Sequence, residues 1–79
     1  MKDYIIRRIR DKKGNKYVHD YLDKRGNVLS RRDFGPLLRN LYIAPGYDNV
    51  KINMNKNDKI LAIGVDDKGR QQYTYNPDY

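Results

Sequence analysis

Lys68, Arg70, Gln72, Tyr73 and Tyr75 lie within eight residues of one another and carry the chain's clearest capacity for chemistry. That chemistry is recognition. A glutamine amide donates and accepts at once, so it can pair with a base edge in the major groove, notably adenine. Phenolic hydroxyls donate to phosphates, and their rings pack on sugar or on a thymine methyl. Lys68 and Arg70 are cations placed to grip phosphates. The same residue types also make protein–protein contacts. Tyr73 and Tyr75 would equally serve as half-buried strand aromatics, and Lys68 and Arg70 as a solvated turn.

No constellation suited to bond making stands beside them. The carboxylates are scattered without acid/base spacing, and no glycine-rich phosphate loop occurs. His19 is the single histidine, set between Tyr17 and Tyr21 with no partner for metal or nucleophile, and reads as structural. With no cysteine, neither disulfides nor a thiolate metal site is possible. No cofactor is expected, and the chain by itself is expected to have no activity.

The elements that must position these residues begin with a hairpin. Lys59 to Val65 is apolar and β-branched, Asp66-Asp67-Lys68-Gly69 is a turn needing glycine's positive φ, and Arg70 to Tyr75 is a polar aromatic strand. Asp66 is placed to cap that turn through its side chain. In a regular strand Tyr73 and Tyr75 share one face and Gln72 points to the other, so Gln72 joins them only through twist or an edge-on approach. Upstream, Tyr4 to Arg10 and Lys16 to Leu22 read as a hairpin around Gly14-Asn15. Val28 and Leu29 suggest a short further edge. Arg31 to Tyr42 is the expected helix, with Phe34, Leu37, Leu38 and Leu41 as its buried stripe and Asp33 as its N-cap, which puts Pro36 in the first turn. Val50 to Met54 reads as another strand. The expectation is an α+β fold, about five short antiparallel strands with one short helix packed on them.

Seventy-nine residues make one domain with a thin core. Seventeen Lys plus Arg against ten Asp plus Glu leave a charge of +7, which favours a polyanionic partner. No apolar run approaches the ~20 residues of a membrane span. The start, MKDYIIRRIR, has no apolar core of a signal peptide. A monomer inside the cell is the expected setting.

The run Gly64-x-Asp66-x-Lys68-Gly69-Arg70-x-Gln72-Tyr73-x-Tyr75, followed by Asn76-Pro77-Asp78-Tyr79, strongly resembles the small N-terminal domain of type IB DNA topoisomerases of the poxvirus and bacterial branch. Leu41-Tyr42-Ile43-Ala44-Pro45-Gly46-Tyr47 resembles an upstream segment of that family, with Ala44 where the family has proline and Tyr47 where it has tryptophan. The resemblance implies an enzyme that relaxes supercoiled duplex DNA. A tyrosine cuts one strand through a 3′-phosphotyrosyl link, the free end swivels, and the strand reseals without nucleotide or obligatory metal. It implies that this chemistry lies in a larger C-terminal domain absent from these residues. It also implies that residues 1–75 form the half of the clamp facing the major groove, with residues 76–79 starting a linker. Gln72, Tyr73 and Tyr75 match the positions that reach into DNA. The alternative from the residues alone is a free-standing basic β module that binds single-stranded nucleic acid by stacking tyrosines.

Overall fold

Glycine at positive φ closes two of the three hairpins of the computed structural model, which describes residues Met1–Tyr79. Gly14, at φ 60°, joins β1 (Tyr4–Lys13) to β2 (Lys16–Leu22), and Gly69, at φ 77°, lies in the bend between β4 (Ile60–Val65) and β5 (Gln71–Tyr75). With β3 (Asp48–Asn53) these strands form one antiparallel sheet in the order β2-β1-β3-β4-β5. The first strand runs three residues beyond the expected Arg10, through a register shift between Ile9 and Asp11 that keeps it paired with β2.

Cross-strand pairing sorts every side chain onto one of two faces. One row joins Ile5, Ile52, Ala62 and Thr74. A neighbouring set holds Tyr21, Arg7, Val50, Gly64 and Gln72. This is the covered face, and Ile5, Val50, Ile52 and Ala62 form its buried centre. The 25-residue passage from β2 to β3 lies over it, contributing Leu29, Phe34, Leu37, Leu38, Leu41, Ile43 and Tyr47. The opposite row, Leu22, Ile6, Lys51, Ile63 and Tyr73, crosses all five strands.

The expected helix over Arg31–Tyr42 is much shorter. An α-helical turn, α1 (Arg31–Phe34), passes directly into a 3-10 turn at Gly35–Leu38. The cap is Ser30 rather than Asp33: the Ser30 carbonyl accepts the Asp33 and Phe34 amides, while the Asp33 carboxylate accepts the Ser30 hydroxyl at 3.0 Å. A start at Arg31 pushes Pro36 past the first turn. There proline has no N–H to give, and its ring crowds the carbonyl four residues back. The backbone tightens, and Asn40, at φ 58°, turns it away. Docking survives because Phe34, Leu37, Leu38 and Leu41 still meet the core. Phe34 stacks on Tyr21, ring centroids 4.0 Å apart. Val28 and Leu29 form no strand: Val28 makes one isolated bridge to Leu22, and the Leu29 amide donates to Tyr21.

Arg7 is the unexpected member of the covered face. It is buried, and its guanidinium donates to the carbonyls of Ala44 at 2.7 Å, Tyr47 at 3.0 Å and Ile43 at 3.5 Å. Burial lowers its pKa, since desolvation disfavours the charged form. His19 lies nearby in a structural role, its Nε2–H donating to the Pro45 carbonyl at 2.8 Å.

Candidate nucleic-acid interface

Strand parity puts Tyr73 and Tyr75 on the open face, and the edge position of β5 leaves them accessible. They are 44% and 57% exposed. Their rings stack at 6.2 Å with 20° between planes. The Tyr73 hydroxyl donates to Gln71 Oε1 at 3.1 Å. Gln71 therefore stands with the tyrosines, a placement that alternation foreshadows and that sequence reasoning passed over.

The register adds residues that no sequence spacing links. Ile63 pairs with Tyr73, and Lys51 pairs with Ile63. The Lys51 ammonium also lies 5.0 Å from the centre of the Tyr4 ring, a cation–π contact. Arg8 is exposed and makes no ion pair, while Arg10 reaches Asp20 at 3.6 Å. The open face thus joins tyrosine rings, an amide and free cations. Of the three early arginines, Arg7 is withdrawn into the covered face and contributes no surface charge.

Lys68 sits exposed in the turn, and its side chain has no hydrogen bond or ion pair. Arg70 and Gln72 are both tied to Asp66. Oδ1 of Asp66 accepts the backbone amides of Lys68 at 3.0 Å and Arg70 at 2.9 Å, while Oδ2 accepts Arg70 Nε at 2.9 Å and Gln72 Nε2 at 3.0 Å. These bonds, led by that from the Gln72 amide, lower the Asp66 pKa to about 2. The Asp66 side chain is only 7% exposed, whereas that of Arg70 is 65% exposed. The sequence-derived residues are therefore divided: Tyr73 and Tyr75 share the open face, Lys68 and Arg70 flank the bend, and Gln72 is half-buried on the covered side.

No three carboxylate or imidazole side chains converge as a metal site would need. No helix is long and apolar enough to cross a membrane. No family model matches the chain, and no solved structure matches it. A curated relative, DNA topoisomerase 1B of Acanthamoeba polyphaga mimivirus, is 39% identical over 67 residues, which make up 85% of this chain and 19% of the relative. The chain spans about a fifth of the length of that relative.

Proposed function

We propose that this chain, which is homologous to a segment of a type IB DNA topoisomerase, is a duplex-DNA-binding clamp domain of such an enzyme. The observation that carries the reading is the open face. Tyr73 and Tyr75 stand exposed and adjacent there, in one cross-strand field with Lys51, in a chain of charge +7. Residues 1–75 form the clamp, and residues 76–79 lead toward a domain that supplies the phosphotyrosyl chemistry of supercoil relaxation. The chain has no catalytic residue of its own in this reading.

Tyr73 and Tyr75 meet the duplex with hydroxyls for phosphates and rings for sugar or thymine methyl. Lys68 and Arg70 take phosphates on the flank, and Gln72 reads a base edge once it reaches the groove. Arg8 and Lys51 extend the positive surface behind them. Association begins electrostatically and is strongly salt-dependent.

The stacked tyrosine pair also favours a second reading, a module for single-stranded nucleic acid. Titration of the isotope-labelled chain with a short duplex, and with one of its strands alone, at two salt concentrations separates the two. The clamp reading expects tighter binding to duplex and shifts concentrated at Lys68 through Tyr75. If about four phosphates are neutralised, log K falls with a slope near −3.6 in log salt. Tighter binding to the single strand establishes the stacking module instead. Binding indifferent to salt removes both readings and leaves a protein-contact surface.

A further inference from the structure

The Asp66 carboxylate accepts four hydrogen bonds, and two of its partners are side chains assigned above to DNA. One oxygen is occupied entirely by the backbone of the bend. The other is shared by Arg70 Nε and Gln72 Nε2. Reading adenine takes both halves of a glutamine amide, the donor and the acceptor. A Gln72 whose N–H₂ is bound to Asp66, on the covered side of the strand, is not in that position.

We infer that Asp66 is a latch: it holds Gln72 and Arg70 away from the tyrosine face in the free chain and yields them when a duplex docks. This rests on the reading of the hairpin as a DNA-contacting element. Tyr73 and Tyr75 are already exposed, so they make the first contact. The phosphates that follow compete with the Asp66 carboxylate for the Arg70 guanidinium, and both are anionic acceptors of charge-assisted hydrogen bonds. As Arg70 turns outward, Oδ2 keeps only Gln72, whose neutral amide is the weaker partner. Gln72 then exchanges one acceptor, Oδ2, for an acceptor on a base. A base that cannot accept leaves the amide better satisfied on Asp66. Asp66 thereby sets a threshold that discriminates among base pairs, a specificity-determining role exerted through Gln72.

The bend itself does not depend on that second oxygen. Asn at position 66 keeps one carbonyl oxygen for the Lys68 and Arg70 amides. It places an NH₂ where Oδ2 was, and two donors then face each other. Asp66→Asn therefore keeps the turn and opens the latch. It also raises net charge by one, so its control is Asp67→Asn, an exposed neighbour with no side-chain hydrogen bond or ion pair.

The first measurement needs no variant. During the duplex titration of the full chain, the Gln72 side-chain amide and the Asp66 carboxyl carbon should shift together with the Tyr73 and Tyr75 rings. Ring shifts with an unmoved Gln72 amide and Asp66 carboxyl overturn the latch alone. No shift at any of these groups in low salt overturns the DNA reading and the latch with it. The second measurement is affinity. Asp66→Asn should bind duplex about tenfold more tightly than Asp67→Asn, the order of one charge-assisted hydrogen bond released. Its log–log salt slope should match that of Asp67→Asn, because Arg70 meets the same phosphate in both complexes. Equal affinity in the two variants, with the turn amides of both in native positions, overturns the proposal.

Discussion

At the residue scale, buried polar groups fix the architecture around the site. Arg7 spends its guanidinium on the Ile43–Tyr47 bend, and Tyr47 in turn lies against Gly64 beside the hairpin. Replacing Arg7 with Ala strands those carbonyls in a low-dielectric interior. A loss of about 3 kcal/mol is expected in urea unfolding, with Lys a poor substitute because a point charge cannot span the same acceptors. Asp66 predicts a pH effect with a definite sign. Its pKa is depressed in the folded turn, so the ionised carboxylate stabilises the fold above the ordinary carboxylate range. That contribution is lost as pH falls from about 4 to about 2. Amide shifts of Lys68 and Arg70 followed through acid should report a turn transition in that window, and Asp66→Asn should abolish it.

At the element scale, the β4–β5 hairpin is held from both ends. The end next to the bend is packed: a methyl group added at Gly64 would lie 3.0 Å from Val50 Cγ2 and 3.4 Å from Tyr47 Cβ. Gly64→Ala should therefore cost about 1–3 kcal/mol through overpacking. The same substitution should move the Tyr47 and Val50 resonances before it disturbs Tyr75, a sequence of effects readable in a two-dimensional spectrum. The open end is pinned by Asn76. Its backbone amide donates to the Lys59 carbonyl at 2.8 Å, and its side-chain amide donates to the backbone carbonyls of Lys56 at 3.0 Å and Asp58 at 3.1 Å. The covering turn is tied down independently by Lys56, whose ammonium donates to the Leu37 carbonyl and whose pKa burial lowers. These ties compensate for an α-helix too short to stand alone.

At the scale of the molecule, nine of 79 residues are buried, so the fold has little stability in reserve. A ligand that binds only the folded chain stabilises it by mass action. The expected outcome is that a short duplex raises Tm at low ionic strength and that the gain vanishes in roughly 1 M salt, where the Debye length is about 3 Å. Scanning calorimetry with and without duplex checks it. A gain that persists at high salt would mean an apolar contact carries the binding.

The sequence alone determined the hairpins, because glycine at the bends and β-branched runs beside them are local preferences that the final structure did not need to override. Lys16–Leu22 was readable to the residue, and so were the Phe34, Leu37, Leu38 and Leu41 stripe and the α+β class. The bend at Gly69 and the strand that ends at Tyr75 were legible for the same reason: their spacing is local. What depended on contacts distant in sequence was not legible. The helix gave way to a 3-10 turn because docking could retain four apolar residues without α geometry, while Pro36 opposed it. Arg7 became a core residue only when the passage from β2 to β3 brought three carbonyls to its guanidinium. Lys51 came into line with Tyr73 only through the register of β3 on β4 and β4 on β5. Alternation could say that Gln72 turns away from the tyrosines; only the tertiary structure showed that Asp66 receives it there, because hydrogen-bond partners are chosen by the folded chain and not by spacing.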